Sequence, residues 1–335
     1  AVIGNPNTGK STLFNALAGL HAHVGNYPGV TVEKKVGHVA WEGQSVELID
    51  LPGTYSLSPR SLDEMVSVDV ILGQHPQVGP VDAVLCIVDA SNLERHLFLV
   101  SQILDTGVPL VLVLNMWDAA GRRGLTIDVD RLREKLGVPV VVTEAHRLRG
   151  IDGIRGALLG ALGTPPRPRL FPPVFYEECE RLESHLEEHG LSQVPWFLRE
   201  RMLLDVGGTV ENRYVRTADS KLSDYLKQAR GRLATGGFSI PSGEAVKRYD
   251  WARTVVSDVV TAPREARKSI TDRLDRWLTH RVFGLAIFAL LMFLVFQAIY
   301  AWAEPLMGLC ETGQEWVSGQ IEDALAPGPL RSLLV

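Results

Sequence analysis

Apolar residues fall in short continuous runs through the first half of the chain: 1–4 (AVIG), 46–50 (VELID), 82–90 (DAVLCIVDA), 109–116 (PLVLVLNM) and 138–145 (VPVVVTEA). Runs of this length without alternation read as buried strands. Between most of them apolar positions recur at helical spacing, over 10–19, 61–73, 92–106 and 128–136, with another such stretch at 151–162. Residues 32–41 (VEKKVGHVAW) alternate more and read as an edge strand, closed by a Glu42-Gly43 turn. Strands interleaved with helices predict a mostly parallel sheet covered on both faces. Ligands of such sheets bind at the carboxyl ends of the strands.

The pattern changes after residue 163. The stretch 164–173 (TPPRPRLFPP) holds five prolines and reads as a stiff linker. Helical patterns follow near 174–189, 194–206, 219–234 and 242–261, with Gly190, Gly207-Gly208 and Gly236-Gly237 as stops. They predict a small all-α bundle over 174–262. Residues 282–303 (VFGLAIFALLMFLVFQAIYAWA) then run without a charge, and only Gln297 is strongly polar. A helix of that length spans about 33 Å, enough to cross a hydrocarbon core of about 30 Å. Tyr300 and Trp302 sit at its far end, where interfacial aromatics belong. The preceding segment, 263–281, carries Arg264, Arg267, Lys268, Arg273, Arg276 and Arg281, with Ile270, Leu274, Trp277 and Leu278 at helical spacing. It suits an inner membrane leaflet. Beyond the run, 304–335 is acidic except for Arg331, so the positive-inside rule places residues 1–281 in the cytoplasm.

Composition narrows the classes. The 335 residues are 46% hydrophobic and 22% charged, which excludes disorder as the main state and suits two domains with an appendage. A net charge of −5 argues against nucleic acid as a partner. The three cysteines, Cys86, Cys179 and Cys310, lie far apart and form no CxxC pair, so neither a disulfide framework nor a zinc ribbon is expected. The chain opens Ala-Val-Ile and closes Leu-Leu-Val in mid-pattern, and reads as a fragment.

Candidate chemistry falls at the strand ends. Gly4-Asn5-Pro6-Asn7-Thr8-Gly9-Lys10-Ser11-Thr12 follows a strand, opens a helix and satisfies GxxxxGK[ST]. Glycines let backbone N–H groups wrap a phosphate, Lys10 neutralises its oxygens, and the Ser11 hydroxyl is a Mg²⁺ ligand. Asp50-Leu51-Pro52-Gly53 ends the third strand in order, where Asp50 can hold Mg²⁺ through water and the Gly53 amide can bond a γ-phosphate. Asn115-Met116-Trp117-Asp118 closes a further strand. An Asp118 carboxylate there accepts from guanine N1–H and N2–H₂ together; adenine has no such pair of donors, so the nucleotide is GTP or GDP. Asn115 ties this loop to the P-loop side. Thr143-Glu144-Ala145 occupies the place of a loop whose backbone amide meets guanine O6. Between the first two motifs, 23–31 (HVGNYPGVT) reads as a mobile loop in which Thr31 reaches Mg²⁺ when the γ-phosphate is present.

Taken together, 4–19 (GNPNTGKSTLFNALAG), 26–33 (NYPGVTVE), 50–57 (DLPGTYSL) and 115–118 (NMWD) resemble the N-terminal GTPase domain of the prokaryotic ferrous iron transporter B (FeoB) family. The similarity resumes at 272–297 (DRLDRWLTHRVFGLAIFALLMFLVFQ) and is looser between. It implies a Ras-like GTPase domain over 1–163, the linker, a helical regulatory domain over 174–262, a basic segment over 263–281, a first transmembrane helix over 282–303, and the start of a membrane domain over 304–335. It further implies an inner-membrane Fe²⁺ transporter working as a homo-oligomer with small cytosolic accessory proteins. Asn7 matches the asparagine that helps bind an activating K⁺ in such GTPases, where a cation can act as an arginine finger does. Thr54-Tyr55 stands where Ras-type enzymes place a water-orienting Gln, which implies slow hydrolysis, with Lys10, Thr31, Gly53 and Asn7 carrying catalysis. A membrane-tethered regulatory GTPase without transport is the alternative.

One motif stands apart. His185-Leu186-Glu187-Glu188-His189 satisfies H-x-x-E-H, with two histidines on one helix face. Its Glu-rich surroundings favour a solvated acidic face over a hydrolytic zinc centre or an accessory metal site.

Overall fold

In a computed structural model of the chain, the described residues are 1–19, 22–26, 33–59, 62–160, 162–191, 193–218, 220–261, 274, 277–299, 303–324 and 328. They form two compact units, Ala1–Ala266 and Arg267–Val335.

The first unit is built on a seven-stranded sheet. Its strands are β1 (Val2–Gly4), β2 (Ala22–Asn26), β3 (Glu33–Trp41), β4 (Gln44–Asp50), β5 (Val84–Asp89), β6 (Leu110–Asn115) and β8 (Val140–Val142), in the order β2-β3-β4-β1-β5-β6-β8. Pairing is parallel from β4 through β8 and antiparallel at β2-β3 and β3-β4. Residues 33–41 are therefore one place in from the edge. The outermost strand is 22–26 (AHVGN), too short and polar to stand out as an apolar run; it pairs through its backbone, from Ala22↔Gly37 to Asn26↔Glu33.

Alternate side chains of the buried strands feed two cores. Val2, Leu85, Ile87, Val111 and Val113 point to α1 (Lys10–Ala18) and α6 (Ile151–Leu159). Ile3, Cys86, Val88, Leu112 and Leu114 point to the opposite face, covered by α2 (Leu62–Ile71), α3 (Leu93–Thr106) and α5 (Val129–Leu136). Short α4 (Trp117–Arg122) follows β6, and β7 (Thr126–Ile127) precedes α5.

That second core continues without a break into the helices after the proline-rich stretch: α7 (Pro173–Glu188), α8 (Trp196–Leu204), α9 (Thr209–Ala218), α10 (Ser220–Thr235) and α11 (Ser242–Val259). Helix α9 was not legible in the pattern, because Gly207-Gly208 reads as a stop and the next residues are mostly polar. Strand β9 (Val260–Thr261) returns to pair with β7. Helix α3 is buried nearly all round, with Leu97, Val100 and Leu104 on the sheet and Ser101, Gln102 and Asp105 among α8 and α11.

In the second unit, α12 (Phe283–Gln297) and α13 (Ala303–Ala324) are helical. Among the described residues no helix is long and apolar enough to cross a membrane: α12 covers 15 residues of the expected 22-residue span. Tyr300, Trp302, Arg264, Arg267, Lys268, Ile270, Arg273 and Arg276 lie outside the described residues. Trp277 and Trp316 are exposed.

Candidate functional site

The loops after β1, β4, β6 and β8 meet at one end of the sheet. After β1 the backbone turns sharply, with Asn7 at φ 65° and Gly9 at φ 81°. A Cβ on Gly9 would come within 2.4 Å of Asn115 Nδ2, and one on Gly4 within 2.4 Å of the Ile87 carbonyl, so side chains are excluded at both places. Thr8 is buried, and its hydroxyl donates to the Asn5 carbonyl at 2.9 Å. The Asn5 amide is buried with neither its oxygen nor its nitrogen bonded among the described residues. Helix α1 opens at Lys10 with no side-chain cap and no acidic residue in its first turn, leaving its N-terminal amides to an anion. Ser11 and Thr12 lie exposed in that turn.

Opposite, β4 delivers Asp50, whose carboxylate accepts from Lys10 Nζ; both side chains are nearly buried. Gly53 lies 3.6 Å from the Gly4 carbonyl, measured from the Cβ position it lacks, and the Thr54 amide donates to that carbonyl at 3.2 Å. A cation, a carboxylate, a hydroxyl and the uncapped amides that open α1 thus gather at one site. Its oxygen donors, Ser11 and Asp50, are those a hard divalent ion takes, and its glycine cradle leaves room for phosphate. Thr31 lies outside the described residues.

Asn115 organises the base side. Its Nδ2 donates to the Thr8 carbonyl at 2.8 Å. Its Oδ1 accepts from Thr143 Oγ1 at 3.1 Å and from the Ala145 amide at 3.0 Å. One buried side chain therefore joins three loops. Met116 takes the left-handed conformation (φ 58°), which turns the chain into α4 and presents Asp118 in the helix's first turn. Asp118 is bonded to Arg122 Nη1 at 2.5 Å, and this bond chiefly holds its pKa below the usual value. Glu144 turns away to Arg147 and Arg149.

A second constellation was not anticipated from sequence. The segment after Gly53 is pinned to α3: the Leu57 amide donates to Gln102 Oε1 at 2.7 Å, and Gln102 Nε2 donates to Ser58 Oγ at 3.3 Å. Ser58 Oγ also accepts from Arg201 of α8. Arg201 and Arg248 are fully buried and share the Glu244 carboxylate, at 2.6 and 2.7 Å, and Arg248 reaches Asp105 at 2.7 Å. Burial alone would raise the Glu244 pKa, but Arg201 and then Arg248 outweigh it and hold it at about 2. Burial, then Asp105, pushes neighbouring Glu200 up to about 8. A cavity of about 800 Å³ opens beside this cluster, between Pro6, Gly53 and Tyr55 on one side and Asp205, Gly208 and Glu244 on the other. The polar Gln102 and Asp105 flanking Ile103 and Leu104, and Arg201 amid WFLRERMLL, were the available signals.

A seven-stranded sheet whose first loop is a GxxxxGKS turn, with DxxG and NxxD loops beside it, defines a Ras-like P-loop GTPase domain. Comparison with known proteins agrees. The family described as ferrous iron transport protein B matches residues 1–158. The cytosolic domain of L. pneumophila FeoB superposes with TM-score 0.65 at 32% identity, covering 78% of this chain and 98% of that one. A GDP-bound mutant of S. thermophilus NFeoB gives TM-score 0.63 at 30% identity, with the same coverage. A Porphyromonas gingivalis protein, described as an Fe(2+) transport protein A/Fe(2+) transporter FeoB fusion, is 31% identical over 100% of this chain and 40% of its own length. The chain belongs to the ferrous iron transport protein B family, and it spans less than half the length of the curated relatives it matches.

Proposed function

We propose that this chain is the guanine-nucleotide-binding, GTP-hydrolysing part of a membrane Fe²⁺ transporter, with its GTPase and helical segments in the cytoplasm and the apolar 282–303 stretch entering the membrane. The observation that carries the nucleotide reading is Asn115, whose three bonds hold the P-loop, the NMWD turn and the Thr143–Ala145 loop around one space. The GDP-bound S. thermophilus relative supports guanine as the base.

In this reading the P-loop amides of residues 4–12 wrap the phosphates and Lys10 leaves Asp50 to neutralise them. Ser11, Thr31 and, through water, Asp50 hold Mg²⁺, which supplies charge neutralisation to the transferring phosphoryl group. Asn7, exposed beside Thr8 at the rim of the P-loop, supplies an oxygen for K⁺. Asp118 exchanges Arg122 for guanine N1–H and N2–H₂. The Gly53 amide bonds the γ-phosphate, so loss of that phosphate frees the 54–58 segment and, through Ser58 and Leu57, loads the Arg201–Glu244–Arg248 cluster. Hydrolysis is slow: the Thr54 hydroxyl is spent on the Ser56 carbonyl at 2.7 Å, and Tyr55 lies under the Arg95 guanidinium at 4.7 Å. Water is then oriented by backbone groups near Thr31 and Gly53. The P. gingivalis fusion supports a small accessory protein as partner; homo-oligomerisation completes the reading.

The test is hydrolysis of GTP and ATP by the purified chain in K⁺ and in Na⁺ buffer. Slow turnover of GTP alone, faster in K⁺ and blunted by Asn7→Ala, is the expected result. Turnover of ATP would remove the Asp118 role, and K⁺-indifferent GTP turnover would remove that of Asn7.

A further inference from the structure

At the carboxyl end of α7, away from the nucleotide loops, His185, Glu188 and His189 bring one ligand atom each to within 4.8 Å of one another. Positions i, i+3 and i+4 share a helix face, so the helix itself sets the triad. Two further features fix its geometry. The His189 Nδ1–H donates to the His185 carbonyl at 2.8 Å, because a carbonyl only accepts; the lone pair of His189 is therefore on Nε2. The His185 ring lies flat on Tyr225 of α10, with centroids 4.2 Å apart and planes 11° apart, and its neighbour His189 is 4.5 Å away. These are the supports that metal-bound imidazoles use, one ring tautomer set by a carbonyl and one ring held by packing. A third observation points to a ligand: His185 Nε2 is buried without a hydrogen-bond partner among the described residues. Glu188 is exposed and has no ion-pair partner among them either, in a segment where Glu183 and Glu178 are both taken by arginines.

We infer that His185, Glu188 and His189 form a binding site for one divalent transition ion of the Zn²⁺, Fe²⁺ and Co²⁺ class, distinct from the nucleotide site and independent of the GTPase reading. Two imidazoles and one carboxylate suit these borderline ions rather than Mg²⁺ or Ca²⁺. Bonds of about 2.1 Å place tetrahedral ligands about 3.4 Å apart, so the side chains close by roughly 1 Å on loading. The fourth position stays open to water, and the negative end of the α7 dipole favours a cation there. The helix stops just beyond, at Gly190 (φ 76°), so bound metal staples the last turn of α7 and, through the His185–Tyr225 stack, its contact with α10.

The experiment is Zn²⁺ calorimetry and Co²⁺ absorption on the EDTA-stripped chain, with fluorescent GDP binding measured on the same samples. One ion per chain at micromolar affinity is expected, with a visible band from four-coordinate Co²⁺. His189→Gln, which keeps the His185–Tyr225 stack, should weaken Zn²⁺ about tenfold or more, and His185→Ala with His189→Ala should abolish binding. His75→Ala should change nothing, and every variant should keep its GDP affinity. Binding of no ion by the wild type, or wild-type Zn²⁺ affinity retained in the double variant, overturns the site whether or not GDP binds.

Discussion

Asp118 and Arg122 hold each other at 2.5 Å, with His146 Nε2 3.9 Å from the same carboxylate, so in the proposed function guanine enters by displacement rather than into a waiting acceptor. Because the Arg122 partner is largely exposed, the pair gives up little, and Arg122→Ala should tighten GDP binding only about two- to fivefold. Asp118→Asn reverses half of the recognition. Its amide oxygen still accepts from N1–H, but its NH₂ group now faces the guanine N2–H₂ donor. Xanthine carries a carbonyl at that place, so the variant should lose about 100-fold in GDP affinity and gain xanthosine diphosphate binding. Competition titrations with the two diphosphates decide it; unchanged guanine preference would show that Asp118 does not read the base. The candidate was legible from NMWD alone. The Arg122 partner was not, since nothing in a motif says what holds a carboxylate before its ligand arrives.

Helices α3, α8 and α11 carry a different kind of information. Arg201 and Arg248 are fully buried, a state that costs several kcal/mol per charge unless partners compensate, and Glu244 is the shared compensation. Its pKa falls from 4.5 to about 2 in the fold, so its contribution is complete above pH 4.5 and lost as pH drops toward 2. Glu200 has the opposite sign. Raised from 4.5 to about 8, it keeps its proton in the fold while the unfolded chain has lost it, and stability declines as pH rises through that window. Glu200→Gln keeps the acceptor for Trp196 Nε1, bonded at 2.9 Å, and removes the ionisation. It should raise the melting temperature by several degrees at pH 8 and hardly at pH 5. Glu244→Gln should instead destabilise by about 3 kcal/mol at pH 7, with the deficit shrinking in acid. Thermal melts of the two variants across pH 3–9 check both signs. The helices themselves were legible from apolar spacing and glycine stops. The charged contacts inside them were not, because Arg201, Glu244 and Asp105 are far apart in sequence and periodicity reports only which face is apolar.

At the scale of the molecule, the apolar core does not stop at the proline-rich stretch: it runs from Cys86 and Leu112 of the sheet to Phe175 and Leu182 of α7. Linker composition marks a change of architecture here, not a gap between independently packed bodies. Against that continuous core, the polar route from Gly53 to Glu244 passes through the 54–58 segment, in which Leu57 is the one buried apolar side chain. Ser58 is its hinge point, accepting from both Gln102 and Arg201. If nucleotide state reaches the helices by this route, exchanging GDP for a non-hydrolysable GTP analogue should change amide hydrogen exchange in α8 and α11. Ser58→Ala should erase that difference while leaving GDP affinity within about twofold, since a single hydroxyl contributes about 1 kcal/mol and lies outside the cradle. The mass-spectrometric comparison discriminates sharply. Equal nucleotide-dependent exchange in wild type and Ser58→Ala would mean that the helices follow the sheet through the shared core, and the buried arginines serve stability alone.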